Sequence, residues 1–247
     1  MDNALLWGLF FLVGMVYASV GHGGASGYLA VLALLGVMAP KTASATALIL
    51  NLVVAGIAWI TYARAAHFRW SLALPFVIAS IPLAFLGGMA HVGEKTYCLL
   101  LAVALIAAGF RLLMPNGDKL SHEDRMPSRP IAMTAGGLIG WISGVVGVGG
   151  GIFLSPLMLL CRWAGIKAVA AVSAFFILVN SAAGLLGRAV HGGIQTGSLL
   201  PLALSAGIGG LLGSRLGAHK LSALWLRRTL AIVLLLACVK LIAKAMA

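Results

Sequence analysis

Two clusters of glycine interrupt otherwise apolar sequence, and they are the first candidates for chemistry in this chain. We call residues 21–24 the first glycine break and residues 147–151 the second glycine break. Because glycine costs about 1 kcal/mol per residue inside a helix, such a cluster marks a point where a helix stops. The helix that restarts there has unpaired amides and a partial positive charge, which together suit an anion. The predicted anion ligands in the two breaks are Gly21, His22, Gly23, Gly24, Gly147, Gly149, Gly150 and Gly151.

Uncharged polar residues occur in the apolar run after each break. The first run contains Ser44, Thr46 and Asn51, and its counterpart contains Ser173 and Asn180. Each asparagine lies about two helical turns beyond its aligned serine, so each Ser–Asn pair shares a helix face. Hydroxyl and amide groups can donate to an oxyanion, and we predict that these five residues complete the anion site. Hydrogen bonding between helices is the alternative role for these side chains, and close helix packing is the alternative role for the glycines.

The acidic residues are few, and none lies inside an apolar run. This argues against a channel with an acidic ring, a pump built on a buried carboxylate and a carboxylate-dependent metalloenzyme. Proton coupling would then need His22, a water path or the substrate's own proton, and a packed hydrogen-bond donor is the alternative role of His22. Three cysteines form no CxxC pair. We predict no catalytic residue, no cofactor and no metal site. The five acids are Asp2, Glu94, Asp118, Glu123 and Asp124.

The elements that position these residues are embedded in lipid. The chain has 247 residues, of which 62% are hydrophobic and 9% charged, with a mean hydropathy of +1.08. A soluble domain carries about 25% charged residues, so the composition indicates an integral membrane protein. The net charge of +12 comes from 17 Lys and Arg against five acids. The basic residues stand at the ends of apolar runs, which indicates membrane topology first and an anionic cargo second, and not a nucleic-acid partner. We predict a multi-pass protein of the bacterial plasma membrane.

Ten apolar runs form two sets of five around one polar segment. We predict a first membrane repeat over 1–114, a cytoplasmic linker over 115–130 and a second membrane repeat over 131–247. The two glycine breaks align at an offset of 126 residues, and the serine–asparagine runs align at 129. A duplicated transporter half explains these matches. The runs cover residues 4–20, 25–39, 42–62, 72–91, 96–114, 131–146, 150–162, 166–187, 198–217 and 229–246.

The distribution of Lys and Arg favours inverted repeats. If each glycine-broken pair of short segments enters and leaves on one side, 12 basic residues face the cytoplasm and five face outward. Parallel halves with four spans each split the same residues nine against eight. The positive-inside rule therefore predicts an all-α polytopic membrane protein with two inverted-topology repeats. Each repeat has a Gly-broken pair of short helices and three full transmembrane helices. A re-entrant hairpin and two short crossings give the same parity, so both arrangements of the pair stay open.

At these motifs the chain resembles the TauE/SafE sulfite exporter family, also called the TSUP permeases, over nearly its whole length. The likeness rests on the paired GxGGG-type motifs, on Ser155-Pro156 after the second, and on the run SAFFILVNS. The first half departs from this pattern, because Ala25 and Ala30 stand where Gly151 and Pro156 stand in the second half. The resemblance implies transport of small sulfur-containing anions such as sulfite, thiosulfate, sulfonates or sulfoacetate.

The resulting functional prediction is a membrane transporter, in the export direction, for a small anionic organosulfur compound or sulfur oxyanion. The mechanism would be alternating access around the two glycine breaks near the midplane. A passive small-anion channel is the alternative, and a membrane enzyme lacks the nucleophile–base set or metal ligands it would need. The predicted partners are the substrate and the lipid bilayer. Exposed Gly/Ala stripes would support a homodimer or, equally, packing within one chain.

Overall fold

The described part of the chain is helical. The computed structural model describes residues 3–35, 40–90, 126–190 and 199–222, together with residues 225, 228 and 232, and no strand occurs among them. The predicted spans 96–114 and 229–246 lie almost entirely outside the described residues, as does 115–125 of the predicted linker. The helices are α1 Asn3–Ala18, α2 Ala25–Leu34, α3 Pro40–Arg64, α4 Trp70–Met89, α5 Arg129–Val146, α6 Gly151–Leu160, α7 Ile166–Ala189 and α8 Leu200–Arg215, and a π-helical turn, Leu216–Lys220, continues α8.

Three of these helices are long and apolar enough to cross a bilayer. They are Thr42–Arg64 within α3, Trp70–Met89 and Ile166–Ala189, with mean hydropathies of 2.0, 2.0 and 2.1. A hydrocarbon core of about 30 Å needs about 20 residues of helix, and each helix supplies that length. Large apolar side chains such as Ile78 and Leu138 are exposed on the outer faces. The predicted multi-pass membrane protein is therefore confirmed.

Helix α1 packs along α8 and runs parallel to it. A Cβ added to Gly14 would overlap the carbonyl oxygen of Ala206, and one added to Gly213 would overlap that of Met15. Residues nearer the C-terminal end of α1 therefore contact residues nearer the C-terminal end of α8, as in a parallel pair. Glycine at these positions lets the two backbones approach as closely as they do.

Helix α4 packs along α5 in the same way. A Cβ added to Gly136 would overlap the carbonyl oxygen of Phe76, and one added to Gly144 would overlap that of Ala84. These two helices are also parallel. The first helix after the linker thus lies against the last described helix before it.

Helices α3 and α7 cross the centre in opposite directions. Leu48 lies next to Gly184, whereas Gly56, further along α3, lies next to Leu178. Helix α8 runs parallel to α3, since Ser214 Oγ donates to Thr61 Oγ1 at 3.2 Å and Gly210 contacts Val54. Helix α4 is parallel to α7, because Trp70 at the start of α4 contacts Phe175 and Gly88 near its end contacts Gly184. Three helices (α1, α3, α8) therefore run one way and three (α4, α5, α7) the other.

The buried apolar residues form two main bundles. One unites α1, α2, α3 and α8 around Phe10, Tyr28 and Leu50. The other unites α4, α5, α6 and α7 around Phe76 and Phe176. Each bundle therefore contains three helices from one half of the chain and the fourth helix of the other half.

Candidate functional site

Helices stop and restart at both glycine breaks. Helix α1 ends at Ala18 and α2 begins at Ala25, while α5 ends at Val146 and α6 begins at Gly151. In both breaks the chain turns through residues with left-handed backbone conformation, which glycine adopts without steric cost. The glycines with positive φ are Gly21 at 75°, Gly24 at 94°, Gly147 at 75°, Gly149 at 81° and Gly150 at 79°.

Asn51, which is fully buried in the middle of α3, joins the two breaks. Its Oδ1 accepts from the amide of Ala25, the first residue of α2, at 3.0 Å. Its Nδ2 donates to the carbonyl oxygen of Val148 in the second break at 3.1 Å and to Ser181 Oγ at 3.2 Å. A Cβ on Gly23 would overlap Asn51 Oδ1, and a Cβ on Gly149 would lie 2.8 Å from Nδ2. A single carboxamide therefore fixes both breaks against the central helix pair.

Asn180, the aligned residue on α7, has a different environment. Its Nδ2 donates to the carbonyl oxygen of Phe176, one turn back on its own helix, at 2.9 Å. Its Oδ1 is buried and has no hydrogen-bond partner among the described residues. The predicted equivalence of the two asparagines does not extend to their hydrogen bonds.

His22 is buried in the first break and faces the second. Its Nδ1 lies 3.0 Å from the carbonyl oxygen of Val20. A carbonyl only accepts, so this nitrogen carries the hydrogen and Nε2 of the neutral ring is an acceptor. Nε2 has no hydrogen-bond partner within the described part of the chain, although the ring lies near the main chain of Gly151.

The remaining predicted residues lie on the helices around the breaks. Ser44 is at the second break, where a Cβ on Gly147 would overlap its Oγ, and Thr46 is fully buried one half-turn further along α3. Ser173 accepts a hydrogen bond from Ser155 Oγ at 2.6 Å, which ties α6 to α7. The structure thus brings Gly23 and Gly149 together at Asn51, with His22 near the main chain of Gly151. Gly21 lies instead beside Ala170 and Gly147 beside Ser44, while Ser173 serves a helix contact.

Two serines at the site were not predicted from the sequence. Ser181 accepts from Asn51, and Ser143 lies beside Gly150 with a buried Oγ that has no hydrogen-bond partner among the described residues. Ser181 directly follows Asn180 in the run SAFFILVNS, and this adjacency was the available signal. Arg188 near the end of α7 also reaches the second break, because its Nη2 donates to the carbonyl oxygens of Gly144 and Val145 at the end of α5.

The chemistry of the site is that of backbone amides and uncharged donors. The amides of Gly23, Gly24, Gly149 and Gly150 make no hydrogen bond within the described part of the chain. They stand at or just before the starts of α2 and α6, where the helix dipole is positive. Across the same stretches, His, Cys, Asp and Glu never gather in a group of three that could hold a metal ion. This arrangement can hold an oxyanion without a fixed counter-charge.

Comparison with known proteins identifies the family. The family model described as "Sulfite exporter TauE/SafE" matches residues 6–241. The chain belongs to the TauE/SafE sulfite exporter family. The chain is also similar to the "Probable membrane transporter protein y4hK" of Sinorhizobium fredii (strain NBRC 101917 / NGR234), with 34% identity over 236 residues. The match covers 94% of this chain and 95% of the relative. No solved structure matches the chain. This TauE/SafE protein is therefore a multi-pass membrane transporter, as the motifs of the second break predicted.

Proposed function

We propose that this TauE/SafE protein exports a small sulfur-containing anion, such as sulfite, thiosulfate, a sulfonate or sulfoacetate, by alternating access around the two glycine breaks. The observation that carries the proposal is the convergence of both breaks on Asn51, with unpaired amides beside the starts of α2 and α6. Each helix start presents about half a positive charge, and two of them at one point suit a single small anion.

The absence of acidic side chains supports an anion as cargo. Asp and Glu do not occur in any of the described stretches, 3–35, 40–90, 126–190 and 199–222. A carboxylate near the breaks would repel an anion and oppose the helix dipoles. Hydroxyl and amide groups carry no charge and therefore do not neutralise the partial positive charge at the starts of α2 and α6. In a low-dielectric setting this positive charge favours a negatively charged substrate.

Inverted repeats are the second part of the proposal. The alignment of the halves pairs α1 with α5, α3 with α7 and α4 with α8. In each pair the two helices run in opposite directions, as inferred from their contacts in the bundle. The packing of α1 on α8 and of α5 on α4 is likewise the exchange expected of two copies related by a two-fold axis.

The basic residues support a cytoplasmic assignment for one end of the bundle. Lys167 Nζ and His67 Nε2 both lie within hydrogen-bonding distance of the Ala218 carbonyl oxygen, so the starts of α4 and α7 and the end of α8 share this end. We call it the basic end, because within the four described stretches it holds seven of the nine Lys and Arg residues. By the positive-inside rule it faces the cytoplasm. The seven are Arg64, Arg69, Arg129, Arg162, Lys167, Arg215 and Lys220.

Burial of the site supports alternating access over a passive channel. His22, Asn51 and Asn180 are each no more than 1% exposed, so the helices close over the breaks from both ends. A carrier passes through a closed state of this kind in each cycle, whereas a conducting channel needs a continuous path. No contact among the described residues favours the channel.

Binding and flux measurements on the purified protein test the proposed function. We expect sulfite, thiosulfate or a sulfonate to raise the melting temperature, because a ligand at 100 times its Kd stabilises the native state by about 2.7 kcal/mol. Proteoliposomes should show saturable uptake and counterflow of the same anion. Acetate and chloride at matched ionic strength are the controls. Equal stabilisation by all anions would contradict sulfur specificity, and flux without saturation or counterflow would indicate a channel.

Replacement of His22 by alanine is expected to reduce the pH dependence of transport. In the neutral ring Nε2 is an acceptor and repels an anion's oxygen, while in the protonated ring it donates to it. Wild-type flux should therefore rise as the pH is lowered into the acidic range in which the buried imidazole becomes protonated. A sulfonate is the right substrate for this measurement, because its own charge is constant over that range. His67→Ala, at the basic end, is the matched control, and an unchanged pH profile in His22→Ala would exclude a role for this imidazole.

A further inference from the structure

A groove with a basic rim and an apolar floor lies between α3 and α8, at the basic end. Its volume is about 420 Å³. Arg64, Arg215 and His219 line its upper part, and Ile57, Ile60 and Leu211 line its lower part. Arg64 is 13 residues beyond Asn51 on α3, which places the rim about 20 Å along the helix from Asn51. The groove is therefore separate from the point where the two glycine breaks meet at Asn51.

The lining follows from helix periodicity on two parallel helices. On α3, Ile57, Ile60 and Arg64 are spaced i, i+3 and i+7 and share one face. On α8, Leu211 and Arg215 are spaced i and i+4 and face them. Because α3 and α8 are parallel, both arginines reach the same level, and the apolar residues lie one to two turns, about 6–10 Å, deeper in the membrane.

The charge of the rim has no counter-charge in the described part of the chain. Arg64, Arg215 and His219 are exposed, and the described stretches contain no Asp or Glu that could pair with them. The floor is open to the membrane as well, since Ile60 is 46% exposed and Leu211 is 36% exposed. A positive rim at the interface above an exposed apolar floor complements a molecule with an anionic head and a hydrocarbon tail.

We propose that this groove binds an anionic phospholipid. The phosphate lies between the Arg64 and Arg215 guanidinium groups, with His219 beside it, and one acyl chain lies over Ile57, Ile60 and Leu211. Guanidinium groups match phosphate geometry by paired hydrogen bonds, and basic pockets between transmembrane helices on the cytoplasmic side suit anionic headgroups. A soluble anion would use the rim alone and leave the apolar floor without a partner.

Native mass spectrometry of the purified full-length protein tests this assignment. Delipidated protein is titrated with phosphatidylglycerol and with phosphatidylcholine of the same acyl chains. We expect the Arg64→Gln/Arg215→Gln double variant to bind phosphatidylglycerol about 30-fold more weakly, since each arginine near the membrane surface contributes about a factor of five. Arg129→Gln, also at the basic end and exposed but outside the groove, is the matched control and should bind as the wild type does.

Two further experiments distinguish a lipid phosphate from a soluble one and test the acyl-chain contact with both arginines intact. Inorganic phosphate and glycerol 3-phosphate should not compete with phosphatidylglycerol at millimolar concentration, and effective competition would overturn a lipid site in favour of a soluble anion. Ile60→Trp, which fills the floor and leaves both arginines in place, should weaken lipid binding, and unchanged binding would overturn the acyl-chain placement. Equal binding of both lipids, or undiminished phosphatidylglycerol binding in the double variant, would overturn the proposal and leave the groove to another segment of the chain or to a second copy.

Discussion

Replacement of Asn51 by alanine is expected to abolish substrate-dependent flux and to lower the free energy of unfolding by about 3 kcal/mol. The variant loses three buried hydrogen bonds, to Ala25, Val148 and Ser181, each contributing about 1 kcal/mol. It also leaves the Ala25 amide and the Val148 carbonyl without their present partner inside the protein. The two breaks then lose their common attachment. Thermal unfolding in detergent and proteoliposome flux measure the two effects.

The aligned asparagine provides the comparison for this prediction. Asn180→Ala removes one hydrogen bond within α7 and an Oδ1 that has no partner in the described stretches, so we expect a cost of about 1 kcal/mol or less. Ser181→Ala removes one of the three Asn51 bonds and should give an intermediate loss of stability. Equal effects of Asn51→Ala and Asn180→Ala would contradict the view that only Asn51 joins the breaks.

Replacement of Gly149 by alanine is the second substitution with a large expected effect. Gly149 has φ of 81°, where an L-residue costs about 1–2 kcal/mol. Its Cβ would lie 2.8 Å from Asn51 Nδ2, 2.8 Å from Ile177 Cγ2 and 2.8 Å from Ser181 Oγ, and overpacking of this kind costs a further 1–3 kcal/mol. We expect a destabilisation of about 3 kcal/mol and loss of flux, because the methyl group displaces the carboxamide that holds both breaks.

A matched substitution separates the break from the general effect of adding a methyl group. Gly8 lies in α1, is exposed and has nothing within 4 Å of an added Cβ. Gly8→Ala should therefore leave both flux and melting temperature near wild-type values. If Gly149→Ala retained wild-type flux, the second glycine break would be a packing device and the proposed anion site would be wrong.

Local sequence carried enough information to predict the helices and their interruptions. Apolar runs predicted α3, α4 and α7 to within a few residues, because length and hydropathy decide whether a helix crosses lipid. The glycine clusters predicted where α1 and α5 stop, since glycine at this density and with this φ is incompatible with a continuing helix. The family followed from the same motifs.

Contacts between distant segments were beyond such prediction. Nothing in the spacing of Asn51 and Asn180 indicates that the first joins both breaks while the second bonds within its own helix. Ser181 contributes only because α7 runs antiparallel to α3 and brings it opposite Asn51. The pairing of α1 with α8 depends on glycines 199 residues apart, such as Gly14 and Gly213. Their role in close helix packing is visible only when the two helices are placed side by side.

The exchange of α4 and α8 between the two bundles has a consequence for biogenesis. Helix α1 presents Gly14 to a partner whose residues, 200–215, are synthesised near the end of the chain. During translation α1, α2 and α3 therefore have one uncovered face until the ribosome has synthesised α8. A chain truncated before residue 200 lacks the fourth helix of that bundle, so we expect that neither half of the chain folds on its own.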